Sequence, residues 1–320
     1  MPRSNAGGVL KDIPVSKIDR NPENPRIHFR QKELDELAES IRRHGVQVPI
    51  SVFQEAGRYV LIDGERRWKC CLKLNRRTIP AIIQDKPDAL TNLVLMFNIH
   101  ALREQWDLLT IALKLPRVIE LYSLEKGRTP NERELSEETG LPRGTIRRCR
   151  LLMNLPDHHL ATINAELRKP KSAQKVTEDF YIEMERALSA VSRYMPDVLP
   201  NERARERARQ TLLDKYRGEV ISNIVDFRKL SKIARAPRVE ADTQAARTAL
   251  ELIFEPNDYS INDGYDRSVS DAYLERDLLT HIESLLTDLR RYRADAVDRE
   301  VQDVLHKLIS EAQRLLEASE

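Results

Sequence analysis

The 320-residue sequence predicts an α+β amino-terminal domain, followed by an all-α helix-turn-helix domain and a helical carboxy-terminal region. Three observations support this assignment. Short β-rich runs alternate with helical segments up to about residue 85, and helical periodicity dominates thereafter. An arginine-rich strand-to-helix turn lies at residues 63–72. A short helix, a glycine turn and a second, basic helix follow between residues 129 and 156.

The elements of the amino-terminal domain follow from apolar spacing and turn residues. A loose tail over residues 1–10 precedes a strand at residues 13–18. Residues 31–44 place their apolar side chains on one face and predict a long amphipathic helix. The remaining elements are three strands and a helix, at residues 49–54, 58–62, 79–84 and 90–97. The mixed domain is expected to cover residues 11–100.

Residues 63–72, DGERRWKCCL, lie where an apolar strand gives way to a helix. A helix N-terminus presents unpaired backbone N–H groups, and its dipole favours an anion. Gly64 would let a ligand approach closely, while Arg66 and Arg67 supply fixed positive charge next to Glu65. This chemistry suits phosphate. The alternative is that the two arginines form a solvated face or pair with Glu65.

Residues 129–156 have the spacing of a helix-turn-helix. Asn131 is a candidate cap for a short helix over residues 132–139, and Gly140 makes the turn. A second helix carries Ile146, six residues after the glycine, into the space between the helices. This domain is expected to cover residues 101–167.

The outward face of the second helix is basic. An exposed helix of this width fits the major groove of DNA, and arginine contacts phosphates or guanine edges. A helical hairpin with a solvated basic face is the alternative. The candidate DNA-binding residues are Arg143, Thr145, Arg147, Arg148 and Arg150.

A helical region is expected over residues 168–255, and it begins with a basic linker. Residues 201–210, NERARERARQ, alternate charges at helical spacing and indicate an exposed, salt-bridged helix. Contact with nucleic acid is the alternative for this helix. Residues 254–270 are rich in Asn, Asp, Gly and Ser and predict a long loop.

Residues 271–320 repeat leucine and isoleucine every three or four positions. This spacing is typical of a helical hairpin or a coiled coil, with a break near residues 293–298. The segment is therefore a candidate dimerisation element. A monomeric helical bundle is the alternative.

Charge and cysteine content restrict the classes of function. Lys and Arg total 53 against 51 Asp and Glu, so any attraction to nucleic acid must come from local patches. Cys70, Cys71 and Cys149 form no CxxC pair, which argues against a zinc site or a disulfide framework. No apolar run approaches the roughly twenty residues that span a bilayer, and residues 1–8 lack a signal-peptide core. A cytoplasmic location is expected.

The GERRW turn followed by this helix-turn-helix resembles the ParB family of chromosome and plasmid partition proteins. The resemblance covers about residues 11–165 and includes NPRIHF at residues 24–29, the strand entry at residues 46–50, and Asn98-Ile99-His100 as the third motif. It implies a ParB/sulfiredoxin-like fold. It also implies that CTP and magnesium bind the amino-terminal domain, that the helix-turn-helix reads a palindromic DNA site, and that nucleotide closes a dimer around DNA.

The resemblance assigns roles to individual residues. The implied nucleotide-binding residues are Gly64, Glu65, Arg66 and Arg67 on the phosphates, Gln47 and Pro49 near the base, and Asn98 near the triphosphate and metal. Phe97 stands where the family usually has a magnesium-linked glutamate. Phenylalanine offers no oxygen to a hard cation, so this departure argues against CTP hydrolysis.

Three functions from different classes are consistent with these patterns. The first is a CTP-responsive, ParB-like clamp in plasmid or chromosome partition. The second is a sequence-specific transcription regulator with a degenerate nucleotide pocket, which Phe97 favours. The third, a DNA nuclease, lacks the carboxylate cluster of a two-metal site. The expected partners are double-stranded DNA, a second copy of the chain and a ParA-type ATPase, with no membrane, and the expected location is the nucleoid or a plasmid.

Overall fold

The computed structural model describes residues 8–24, 31–98, 106–292 and 298–317. The chain divides into two compact units, Met1–Arg186 and Ala187–Glu320. The first unit contains a five-stranded sheet followed by helices, and the described part of the second is helical. The predicted fold class is confirmed. The predictions for most of the amino-terminal tail, most of NPRIHF, Ile99, His100 and the break before residue 298 lie outside the described residues.

The sheet has the strand order β1-β5-β3-β4-β2. Its strands are β1 (Val9–Pro14), β2 (Ile18–Asp19), β3 (Ile50–Glu55), β4 (Arg58–Asp63) and β5 (Thr78–Gln84). β3 and β4 form an antiparallel hairpin, whereas β3 with β5 and β2 with β4 are parallel pairs. The two turn residues of the hairpin, Ala56 and Gly57, both have positive φ, the backbone that matches the twist of the strands in a two-residue turn.

The start of the chain differs from the prediction of one strand at residues 13–18. β1 begins at Val9 and ends at Pro14, and a 3-10 turn at Val15–Lys17 separates it from β2. Pro14 has no backbone N–H, so it cannot donate to the ladder with β5. The proline therefore ends the strand that it was predicted to lie within.

Three helices cover the sheet of the first unit, α1 (Gln31–His44), α2 (Glu65–Lys73) and α3 (Ala89–Met96). Ile41 of α1 and Cys71 of α2 pack in one buried cluster with Ile50 and Ile79 of the sheet. Gly64 alone separates the end of β4 at Asp63 from the start of α2 at Glu65.

The described residues of the first unit after α3 form helices and the turns between them. They include α4 (Leu108–Lys126), α5 (Glu132–Thr139), α6 (Arg143–Met153) and α7 (Asp157–Leu167). α4 is one continuous helix with Pro116 inside it. Leu115 and Val118 beside the proline are fully buried, and their packing outweighs the lost backbone hydrogen bond.

The boundary between the two units lies within helix α8 (Glu178–Tyr194), and the second unit begins at Ala187. Its other helices are α9 (Glu202–Arg217), α10 (Phe227–Ala234), α11 (Thr243–Ile253), α12 (Ile261–Ser268), α13 (Ser270–Arg291) and α14 (Arg299–Glu317). None of the described helices combines the length and the apolarity that crossing a membrane requires.

Two predictions in the second unit are wrong. The segment predicted as a long loop contains α12, which Ser260 and Asp263 begin with a capping box and which Ile261 anchors in the core. The helix predicted as exposed, α9, is half buried through Ala208 and Leu212. Composition misled both predictions. The capping box of α12 contributes the polar residues that are typical of a loop, and in α9 small alanines between the charged residues form the buried face.

Candidate functional site

Gly64 sets the geometry at the start of α2. Its φ of 97° is left-handed, and a Cβ atom there would lie 2.5 Å from Cγ2 of Ile50. Backbone conformation and packing against β3 therefore explain why this position needs glycine. No side chain caps this end of α2. Its first-turn N–H groups consequently form a candidate anion site.

Arg67 joins the loop before β3 to the end of β4. Its Nη1 donates to the carbonyl oxygens of Val48 and Pro49, each at 2.6 Å, and its Nη2 donates to Asp63 Oδ2 at 2.9 Å. The side chain is only 18% exposed. Arg67 thus brings the predicted base-side residue Pro49 beside the GERRW turn, and its guanidinium is engaged within the protein. Gln47 is exposed and donates to the carbonyl of His44.

Glu65 is buried, and its carboxylate is surrounded by positively charged side chains. It is 4% exposed, with its carboxylate 3.1 Å from Nε of Arg20 and 2.9 Å from Nζ of Lys69. Asn24 also donates to it, at 2.8 Å. The sequence interpretation placed Glu65 on the phosphates. In the structure its carboxylate pairs with two partly exposed cations, Arg20 and Lys69. A negative carboxylate alone would repel phosphate.

Arg20 and Lys69 are the cations that the sequence interpretation missed. Lys69 lies four residues after Glu65, a spacing that predicts an ion pair on a helix. Arg20 comes from the other end of the domain, and only the fold brings it to α2. With Arg66 these side chains give three cations around the start of one helix.

The segment that carries Arg20 also contacts α3 and α4. The buried Asn21 exchanges side-chain hydrogen bonds with Asn92 of α3, at 2.9 and 3.4 Å. Glu23 lies 3.5 Å from Nζ of Lys114 on α4. A ligand that moved this segment would therefore act on both helices.

Phe97 and Asn98 differ in accessibility at the end of α3. Asn98 is exposed, and among the described residues it has no hydrogen bond to the GERRW turn. Phe97 is fully buried, with its ring 5.2 Å from that of Trp106. The position of the expected glutamate is therefore part of the hydrophobic core.

The helix-turn-helix is built as its spacing predicts. Asn131 and Glu134 form a capping box at the start of α5, and Gly140 makes the turn with a φ of 72°. Ser136 Oγ donates to the carbonyl of Leu141 at 2.7 Å across this turn. Ile146 and Cys149 are fully buried between the helices, and burial raises the pKa of the Cys149 thiol to about 12.

The outer face of α6 is held by acidic partners. Glu132 of α5 accepts from Arg143 at 3.0 Å and from Arg147 at 3.0 and 3.1 Å. The hydrogen bond from Arg147 lowers the pKa of Glu132, followed by that from Arg143, while desolvation acts against both. Arg148 pairs with Asp179 at the start of α8. Thr145 and Arg150 are half-buried, so Arg143 and Arg147 are the most exposed of the candidate DNA-binding residues.

Comparison with known proteins identifies the amino-terminal domain. Residues 2–99 match the family model of the ParB N-terminal domain. A nucleoid occlusion protein of Halalkalibacterium halodurans is 27% identical over 80% of this chain and 82% of that protein. A probable chromosome-partitioning protein ParB of Pseudomonas putida is 34% identical over 46% of this chain and 49% of that protein. The resemblance to ParB proteins is confirmed.

Solved structures of ParB proteins are also similar. Caulobacter crescentus ParB complexed to the centromeric parS site covers 70% of this chain and 98% of that chain, at 21% identity and a TM-score of 0.43. The same protein complexed with CTP-γ-S covers 53% of this chain and 92% of that chain, at 26% identity and a TM-score of 0.28.

Proposed function

We propose that this chain is a ParB-like DNA-binding protein in which a nucleotide bound at the start of α2 controls a clamp on DNA. Three findings support the proposal: the match of residues 2–99 to the ParB N-terminal domain, the partition and nucleoid occlusion proteins among its relatives, and the basic outer face of α6. Its place of action is then the nucleoid or a plasmid, and its biological role is DNA segregation or its coordination with division. A ParA-type ATPase is the proposed partner in segregation.

The observation that carries the nucleotide site is the concentration of positive charge around the uncapped start of α2. Arg66, Arg20 and Lys69 are suited to the phosphates of CTP, and the backbone N–H groups of the first turn add hydrogen bonds. Arg67 acts indirectly, since it fixes Pro49 and its neighbours beside the proposed base.

These residues fit a triphosphate better than they fit a magnesium ion. Asn98 offers one amide oxygen, and Phe97 offers none and is buried. Magnesium would screen phosphate charge if it arrived with the nucleotide. The proposed action of this site is therefore binding, and no hydrolytic role is assigned to Phe97 or Asn98.

The consequence of binding would pass through residues 20–24. Arg20 and Asn24 contact Glu65, Asn21 contacts α3, and Glu23 contacts α4. Phosphate competing with Glu65 for Arg20 would loosen or shift this segment. Because α4 packs against α6, such a shift would reach the DNA-reading helix.

The test is calorimetric titration with CTP, and with ATP, GTP and UTP, with and without magnesium. We expect selective CTP binding that Arg66→Ala removes. Arg42→Ala is the matched control, since Arg42 is 67% exposed on α1 and pairs with Glu39 of the same helix. Equal CTP affinity in the Arg66 variant and the wild type would refute the pocket.

A sequence-specific transcription regulator with a degenerate nucleotide pocket is the second candidate function. The buried Phe97 favours it, because the family's magnesium-linked carboxylate is replaced by a core residue. This candidate requires that no nucleotide binds while duplex DNA is still bound through α6.

A further inference from the structure

A basic surface in the second unit is not used by the proposed function. Residues 227–238, FRKLSKIARAPR, contain no acidic residue. They form α10 and the 3-10 turn Ala236–Arg238. Phe227, Leu230 and Ile233 are buried, so the polar side chains lie on the outer face. Those basic side chains are Arg228, Lys229, Lys232, Arg235 and Arg238.

Tyrosine rings organise these cations. The guanidinium carbons of Arg193, Arg235 and Arg238 lie 5.5, 5.6 and 5.6 Å from the ring centre of Tyr194. At the other end of α10, Nζ of Lys232 lies 4.7 Å from the ring centre of Tyr273. A ring face holds a cation in place but leaves its full positive charge.

A third tyrosine, Tyr265, lies beside the lysines of α10. Nζ of Lys229 and of Lys232 lie 5.3 and 5.6 Å from the ring centre of Tyr265. Tyr265 in turn stacks on Tyr273, with ring centroids 6.2 Å apart. The rings are therefore occupied by cations or by one another.

The charge balance here differs from that of α6. In the described part of the chain, Arg193, Arg235 and Arg238 have no ion pair with a carboxylate. On α6, by contrast, Glu132 and Asp179 pair with three arginines. Since the whole chain carries only +2, the three arginines around Tyr194 are a local concentration of positive charge.

We propose that α10 and the turn after it bind the phosphodiester backbone of duplex DNA, independently of base sequence. This proposal rests on the proposed function, in which α6 supplies the sequence-reading contact. Fixed cations on an exposed surface match phosphates, which position a protein on DNA without reading its sequence. A single strand is a poorer match, because it needs free aromatic faces for its bases and these rings are already in contact with cations.

The test measures binding of the full chain to a fluorescent duplex of random sequence across a potassium chloride series. The test variant, called the Tyr194-cluster variant, combines Arg193→Gln, Arg235→Gln and Arg238→Gln. We expect about tenfold weaker binding near 0.1 M salt. The salt slope of log K should fall by up to roughly 2.7, since each phosphate that an arginine neutralises accounts for about 0.9. Circular dichroism and the melting temperature verify that the variant is folded.

The matched control combines Arg203→Gln, Arg207→Gln and Arg217→Gln. These arginines are exposed on α9, where glutamates alternate with them, so the control removes the same charge from a mixed face. Equal losses in both variants would overturn the proposal, because net charge alone would explain them. An unchanged affinity in the Tyr194-cluster variant would also overturn it and would point to an acidic protein as the partner of this surface.

A third variant separates this inference from the proposed function. Arg147→Ala with Arg148→Ala disables α6 alone. If that variant loses affinity and the Tyr194-cluster variant does not, only the second surface is refuted. If the wild type binds no duplex at all, the proposed function is refuted together with it.

Discussion

The ring of Phe97 packs edge-on against the indole of Trp106, with centroids 5.2 Å apart and an angle of 73° between the rings. Phe97 is the C-cap of α3 and is fully buried. The departure from the ParB pattern is therefore more than the loss of a carboxylate. The ring also connects the end of α3 to the segment before α4 through Trp106.

Phe97→Glu should consequently unfold more easily and should not create a CTPase. Removing a buried phenylalanine costs about 3–5 kcal/mol of unfolding free energy, and burying a carboxylate adds to that loss. Urea denaturation measures the stability, and phosphate release measures turnover. Phe97→Leu is the control, with an expected loss of about 1 kcal/mol because the site stays apolar. A stable Phe97→Glu protein that hydrolyses CTP would contradict the core role.

Substitution of the two arginines of the GERRW turn should have different effects on stability and on CTP affinity. Arg67→Ala removes hydrogen bonds to Val48, Pro49 and Asp63, so we expect the unfolding free energy to fall by about 2–4 kcal/mol. Arg66→Ala should remove CTP affinity, and its effect on the unfolding free energy should be the smaller of the two. Thermal melting and calorimetry on both variants give the comparison. A stability loss confined to Arg66→Ala would reverse these assignments.

Local signals predicted much of the first unit. The bounds of α1 and α5 coincide with the prediction, since an amphipathic stripe marks the one and a capping box with a turn glycine marks the other. The strand-to-helix turn at Gly64 was also visible, because helix-start signals are contiguous in sequence. The helical state of α12 was not visible, since its polar composition is also that of a loop.

Long-range contacts explain what the sequence could not predict at the site. Arg20 and Asn24 reach Glu65 only because β2 lies beside β4 and brings the residues after it to the start of α2. The burial of Phe97 likewise involves Trp106, nine residues later in the segment before α4. Neither contact leaves a periodic pattern in the chain.

Glu132 should restrain the DNA-reading helix. It pairs with Arg143 and Arg147, and its charge would also repel nearby phosphates. Glu132→Gln keeps the shape of the side chain and removes the charge, so we expect duplex affinity to rise about threefold to tenfold, and less so at high salt. Fluorescence anisotropy at several salt concentrations measures this.

The control for Glu132 is Glu137→Gln on the same helix. Glu137 pairs with Arg133 of its own helix and is 60% exposed, so its loss changes net charge equally without freeing an arginine of α6. Equal gains from both substitutions would show that Glu132 acts through net charge alone.

The last two helices should carry self-association. Leu278, Ile282, Leu285 and Leu289 of α13 follow the alternating four- and three-residue spacing of a coiled-coil seam, and the first three are 50%, 42% and 39% exposed. Ile282→Glu with Leu285→Glu should convert a dimer to a monomer by light scattering, as should removal of residues 272–320. Thr280→Glu with Thr287→Glu adds the same charge to the opposite face and should leave the mass unchanged. A monomeric wild type would exclude this element as a dimer contact.

Lys215 should make stability depend on pH. It is 5% exposed, its Nζ donates to the carbonyl of Tyr259 at 2.7 Å and to Asn257 Oδ1 at 3.0 Å, and burial lowers its pKa from 10.5 to about 8. Below pH 8 the lysine is charged in both the folded and the unfolded chain, and the cost of its burial is fully present. Between pH 8 and 10.5 the unfolded chain binds more protons, so this cost is progressively removed and the unfolding free energy should rise by about 3 kcal/mol.

Urea denaturation of the wild type and of Lys215→Met isolates the effect of Lys215, because all other titrations cancel in the difference. Lys307→Met, at an exposed position of α14, should follow the wild type. A difference between wild type and Lys215→Met that stays constant from pH 8 to 10.5 would mean that Lys215 keeps its proton inside the fold.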